Sequence, residues 1–150
     1  MKREDFKAIL EFAIEREREA VQFYQDLQVK TRFSSQKEML KELEMMERGH
    51  ITVLTNILDK GVEKIEHKNV EDLQISEYLV SEEPQGDLSY QDILIVAMKR
   101  EEAAKKLYTD LAERFKGTET EGVFVRLREE ETGHKLKFEK LYDEDILRNN

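Results

Sequence analysis

Apolar residues recur in steps of three and four along four separate stretches of this chain, the spacing of one buried helix face. The first stripe runs Phe6, Ile9, Leu10, Ala13, Ala20, Val21, Tyr24 and Leu27. The second runs Met39, Leu40, Leu43, Leu54, Ile57 and Leu58, with Ser35 and Glu38 spaced as a capping box at its start and Gly61 as its stop. The third starts near Ser89 and reads Ile93, Leu94, Ala97, Met98, Ala104, Tyr108 and Leu111. The fourth opens at a second candidate capping box, Thr118 and Glu121, and reads Val123, Phe124, Leu127, Phe138 and Leu141. Residues 62 to 88, with His67, Pro84 and Gly86, break the pattern, apart from a short helical stretch expected around Leu73 to Leu79. The expected fold is all-α. Two antiparallel helical hairpins, about 4–60 and 89–143, are joined by a long crossover over about 61–88, all within one domain spanning 1–150. A crossover of that length can traverse a 24-residue helix, about 36 Å at 1.5 Å per residue, so that helices 2 and 3 run parallel.

Each stripe is interrupted by charged residues where an apolar one is due. Glu17 interrupts the first, Glu47 and His50 the second, Glu101 the third, and Glu131 and His134 the fourth. The interruptions, together with one tyrosine in each half, repeat at a constant shift of 84 positions, 17 to 101, 24 to 108, 47 to 131 and 50 to 134. One Glu-x-x-His means little in a Glu-rich chain, where it reads as a surface hydrogen bond. The conjunction carries the weight: two such pairs lie on apolar stripes, each preceded at the same offset by a Glu–Tyr helix. Between the two halves the shared residues are mostly core positions plus this constellation, whereas flanking charges have diverged, as Glu15 against Lys99 and Arg18 against Glu102. Four carboxylates and two imidazoles in one core are costly unless a cation sits among them. Residues three apart on a helix project to one side, so Glu47 with His50, and Glu131 with His134, can each grip a common ion. Carboxylate with imidazole suits iron or manganese, and zinc less specifically. Four carboxylates balance two divalent ions.

Composition narrows the alternatives. With 150 residues, 39% of them hydrophobic and 39% charged, the chain can bury a core beneath heavily charged faces. A net charge of −9 with no basic face argues against nucleic acid and against anionic membranes as partners. There is no cysteine, which excludes disulfides, iron–sulfur clusters and thiolate zinc sites. The opening MKREDFKAIL lacks the apolar run of a signal peptide and no membrane-spanning run follows, so a cytoplasmic location is the expectation.

The segments EREREAVQFY, EMMERGH, KREEAAKKLY and EEETGH together resemble the ferritin-like di-iron carboxylate proteins, which carry a Glu on each of two helices and Glu-x-x-His on the other two. Within them the chain is most similar to the rubrerythrin group, over about residues 6 to 142. The resemblance implies a ferritin-like four-helix bundle holding two iron ions, with manganese or zinc as substitutes. It implies that Glu47 and Glu131 bridge the metals, Glu17 and His50 complete one site, and Glu101 and His134 the other. It further implies that Tyr24 and Tyr108 hydrogen-bond to ligand carboxylates. Their reading as core aromatics with a satisfied hydroxyl stands beside that one.

The chain also departs from the group. Without cysteine it lacks a rubredoxin-like domain, so an electron donor would be a separate partner. Ala104 stands where rubrerythrin has an extra carboxylate, which makes the six-residue set closer to the symmetric centre of bacterioferritin. Arg48 follows Glu47 where bacterioferritin has a haem-ligating Met, so no haem is expected. The eight residues after Tyr142 are too few for the fifth helix of ferritin cages. The function implied is an oxidoreductase of oxidative stress that reduces hydrogen peroxide or O2 as a peroxidase or ferroxidase. The alternative is non-catalytic iron binding, in storage or sensing, and a homodimer is compatible with either. A DNA-protecting mini-ferritin fits less well, because that group builds its iron site between subunits.

Overall fold

The computed structural model describes residues 3–61 and 89–149. The expected crossover, the short helix within it and His67 lie outside the described residues. Four helices make up almost all of the described chain: α1 (Arg3–Lys30), α2 (Ser34–Asn56), α3 (Tyr90–Arg114) and α4 (Glu119–Asn149). A single π-helical turn, Ile57–Gly61, closes α2. They form the expected all-α, ferritin-like four-helix bundle.

Pairings between helices give their directions. Tyr24 of α1 meets Glu101 of α3, and Glu17 meets Tyr108, so α1 and α3 are antiparallel. His50 meets Glu131 while Glu47 meets His134, so α2 and α4 are antiparallel as well. Gln28 of α1 donates to Glu44 of α2 while Glu17 meets His50, so the first hairpin is antiparallel. Helices α2 and α3 therefore run parallel, the arrangement expected for a duplicated hairpin.

The core has two apolar halves. One contains Phe6, Leu10, Leu54, Leu111, Phe115, Phe124 and Leu127. The other contains Tyr24, Leu27, Leu40, Leu43, Leu94, Phe138 and Leu141. The charged residues that interrupt the stripes form a layer between them. Flanking it are two aromatic stacks, Tyr24 on Phe138 with ring centroids 5.3 Å apart and Tyr108 on Phe124 at 6.4 Å. Burying each such side chain contributes about 1.5–3 kcal/mol, so the bundle can carry an unfavourable polar layer.

The helix starts differ from expectation. Helix α2 begins at Ser34 behind an extended Phe33 that offers no side-chain cap, so the Ser35–Glu38 capping box does not form. The Thr118–Glu121 box does not form either: the Thr118 hydroxyl donates back to the Phe115 carbonyl, and the Glu121 carboxylate accepts from the Gly117 N–H. Gly117 sits at φ 87°, a left-handed conformation that a side chain resists, and lets the chain reverse there. A reciprocal box does form at Ser89 and Asp92, where the Ser89 hydroxyl accepts from the Asp92 N–H. The expected second hairpin ended near residue 143, but α4 continues to Asn149. At the first turn the buried Thr31 hydroxyl donates to Gln36 Oε1 at 2.5 Å, and the Tyr90 hydroxyl donates to the same oxygen at 3.3 Å. This pins the first hairpin to the start of α3.

Candidate metal centre

Each of the six residues that interrupt the stripes reaches the middle of the bundle, and none is more than 3% exposed. Helix α1 supplies Glu17, α2 supplies Glu47 and His50, α3 supplies Glu101, and α4 supplies Glu131 and His134. They fall into two overlapping groups whose potential ligand atoms lie within 4.8 Å of one another: Glu17, Glu47, His50 and Glu131; and Glu47, Glu101, Glu131 and His134. Glu47 and Glu131 belong to both groups. The structure thus singles out as shared the same two carboxylates to which the family resemblance gives a bridging role.

The two halves are near copies. His50 Nδ1 lies 2.8 Å from Glu131 Oε1, 3.4 Å from Glu17 Oε2 and 3.8 Å from Glu47 Oε1. His134 Nδ1 lies 2.7 Å from Glu47 Oε1, 3.5 Å from Glu101 Oε2 and 4.0 Å from Glu131 Oε1. The imidazole rings are nearly parallel, with centroids 6.0 Å apart.

One atom of each residue faces this centre: Glu17 Oε2, Glu47 Oε1, His50 Nδ1, Glu101 Oε2, Glu131 Oε1 and His134 Nδ1. Although they crowd one another, none of the six has a hydrogen-bond partner among the described residues. Their close approaches lack hydrogen-bond geometry. An unpaired buried polar atom costs about 1–3 kcal/mol. Six together, all converging, are what a set of cation ligands looks like, and the donor types fit iron or manganese.

Electrostatics points the same way. Burial pushes the Glu47 and Glu131 carboxyls well above their usual range, and the neighbouring carboxylates, Glu17 and Glu101 among them, add to that push. For His50, burial disfavours the charged ring, but Glu131 and Glu17 outweigh it and push the imidazole up to about 11. For Glu17, burial is likewise outweighed, here by contacts with Glu47, His50 and Tyr108, so its carboxyl stays below the usual range. The protonated forms of Glu47, Glu131 and His50 are thus favoured, and a cation would have to displace those protons.

The tyrosines do not bond to the Glu of their own helix. Tyr108 donates to Glu17 Oε1 at 2.6 Å, and Tyr24 donates to Glu101 Oε1, so each hydroxyl ties one hairpin to the other. Burial raises both phenols well above their usual range, and the facing carboxylates, Glu101 for Tyr24 and Glu17 for Tyr108, add to it. Both stay protonated as donors.

Two neighbours of the site were not foreseen in the sequence. The outer nitrogen of His50, Nε2, lies 2.5 Å from Glu130 Oε2. The outer nitrogen of His134 lies 3.4 Å from Met46 Sδ. Glu130 and Met46 correspond under the 84-residue shift, so the divergence between the halves at that position was the available signal.

A bundle of paired hairpins with a carboxylate–imidazole layer across its middle defines the ferritin-like class of dimetal carboxylate proteins. The sequence model of one family in that class, Rubrerythrin, matches residues 8–142, and the chain belongs to that family. Membership suggests di-iron binding, and the buried carboxylate–histidine group is compatible with it. No curated protein and no solved structure matches the chain. Among the described residues, no helix is long and apolar enough to cross a membrane.

Proposed function

We propose that the protein is a non-haem dimetal oxidoreductase that reduces hydrogen peroxide or O2 at a carboxylate-bridged site. The observation that carries this reading is the pair of overlapping ligand groups sharing Glu47 and Glu131. Glu17 and His50 would hold one ion, Glu101 and His134 the other, with Glu47 and Glu131 common to both. Two iron ions bound there would supply two electrons together, which reduces peroxide without releasing a radical.

The chain's own residues do the rest. Opposed Glu-x-x-His pairs on α2 and α4 present imidazole Nδ1 atoms from two sides. The hydroxyls of Tyr24 and Tyr108 fix the rotation of Glu101 and Glu17, leaving the second oxygen of each free to face the centre. Apolar layers above and below keep bulk water out and lower the local dielectric, which strengthens each ligand's hold on a cation. Electrons would come from a separate donor protein, and the reducing cytoplasm is the compartment where Fe(II) chemistry of this kind operates.

The test is stopped-flow oxidation of anaerobically Fe(II)-loaded protein by H2O2 and by O2 in parallel. Faster oxidation by peroxide, at one H2O2 per two irons, is the expected result. Preference for O2 with repeated iron uptake would shift the reading to ferroxidase or storage. Failure to load two irons per chain would overturn it.

A further inference from the structure

The ligand layer obeys the internal two-fold repeat closely, but its outer support does not. His50 Nε2 is 2.5 Å from a carboxylate oxygen of Glu130, while His134 Nε2 is 3.4 Å from the thioether of Met46. These supports occupy equivalent positions in the two halves, so the asymmetry lies in the residue type. Glu130 is itself held from outside: Arg126 Nε, one helical turn back, donates to its other oxygen at 3.4 Å. Arg126 is mostly exposed, Glu130 about a quarter exposed and His50 buried, so a chain of polar contacts runs from the surface to the His50 side of the site.

From this we infer that Glu130 is a positioning residue that makes the two metal positions inequivalent, with the Glu17–His50 position the tighter. The inference rests on the dimetal reading above. A carboxylate accepting the Nε2–H of His50 fixes the tautomer, turns the Nδ1 lone pair inward and makes that nitrogen a stronger donor. A thioether is a weak acceptor, so His134 gains little of either effect from Met46. Removing an outer partner of this kind typically costs about 10–100-fold in metal affinity. The same margin is expected between the two positions of the unmodified protein, because Glu47 and Glu131 serve both equally.

Anaerobic titration with Co(II), followed by its visible ligand-field absorption and by calorimetry, reads this directly. The wild-type chain is expected to take up two ions in two steps at least about 10-fold apart in affinity. Glu130→Met should weaken the first step until the two merge, Glu130→Gln should weaken it less, and Met46→Glu should strengthen the second. In the 57Fe(II)-loaded protein, two Mössbauer doublets of equal area are expected, and they should converge in Met46→Glu. A merely structural Glu130 would not alter those doublets. Circular dichroism of each variant establishes that the bundle is intact. Two ions binding with indistinguishable affinity in the wild type, or a Glu130→Met titration that overlays it, would overturn the inference and leave the dimetal reading standing. Uptake of fewer than two ions would overturn both.

Discussion

Replacing Tyr108 with Phe removes one oxygen atom and little else, which makes it the sharpest probe of how the site is held. The ring stays in its stack on Phe124, and no cavity larger than a hydroxyl opens. What is lost is the 2.6 Å hydrogen bond to Glu17 Oε1. Glu17 Oε2 already lacks a partner, so the variant leaves both oxygens of a carboxylate that is 2% exposed without a donor. Hydrogen bonds to charged groups contribute about 1.5–3 kcal/mol net, and this one is fully buried on both sides. For a chain of this size that corresponds to a fall in melting temperature of about 3–12 °C in metal-free protein. Loss of an oriented Glu17 should also weaken Co(II) binding by about 10-fold or more. The assay is urea denaturation and thermal melting with chelator, run as a double-mutant cycle with Glu17→Gln, so that the coupling is separated from side effects of either change. Coupling below about 0.5 kcal/mol, with unchanged Co(II) affinity, would refute the reasoning and return Tyr108 to the status of a core aromatic. Tyr24→Phe, which frees Glu101, should behave alike.

Loading the site should stabilise the fold: each ion at 100 times its Kd adds about 2.7 kcal/mol, so two raise the melting temperature by roughly 10–20 °C, and superimposable melts with chelator and with Co(II) would sink the idea. The metal-free protein should lose stability as pH rises. Glu47 and Glu131 are raised above 4.5 and His50 is raised from 6.5 to about 11, so each favours folding fully below its unfolded value and ceases to do so as pH climbs through its folded one. Glu17, lowered, acts oppositely and only on the acid side of 4.5. Chelated protein should therefore melt lower at pH 10 than at pH 6, and the gain from metal should grow over the same interval; a flat profile would contradict the clustered carboxylates. Leu10→Ala and Leu94→Ala, equivalent positions in opposite core halves and both fully buried, should each cost about 2–5 kcal/mol, and the double variant should cost their sum within about 0.5 kcal/mol in chemical denaturation.

How much of this was legible in the sequence depends on which interactions are set within a helix and which between helices. Helical period decides which side chains face inward, and it is enough to assign Glu17, Glu47, His50, Glu101, Glu131 and His134 to the core. The helix ends were less legible, because a cap depends on local backbone geometry. Ser35 and Thr118 had the right residue types in the wrong conformations, while Ser89 with Asp92 was a working box. The apolar period of α4 fades after Leu141 although the helix runs on to Asn149, and none of residues 142–147 is fully buried. Thr31, Gln36 and Tyr90 form a buried polar contact whose members are far apart in sequence, and no periodicity predicts such a triad.

The tyrosines show where period stops and symmetry takes over. Tyr24 shares a face with Glu17 two turns away, which leaves its carboxylate partner unassigned, and its hydroxyl reaches Glu101 on α3. Antiparallel packing of α1 against α3 requires this once the chain is recognised as a repeat. If residue 24 lies level with residue 101, the two-fold relation places residue 108 level with residue 17, and the second hydrogen bond follows from the first. The same relation places Glu131 beside His50 Nδ1 and Glu47 beside His134 Nδ1, each on the facing helix. It also turns a difference between the halves into information. Every inward-facing member of the polar layer has a counterpart of its own kind, so the inner site alone would bind two ions alike. Glu130 and Met46 lie one residue outside that layer and are the outer contacts of its two histidines. A symmetric inner site with an asymmetric outer support can hold two ions through shared carboxylates while giving each a different ligand strength. That combination is what a site needs if its two ions are to bind in order.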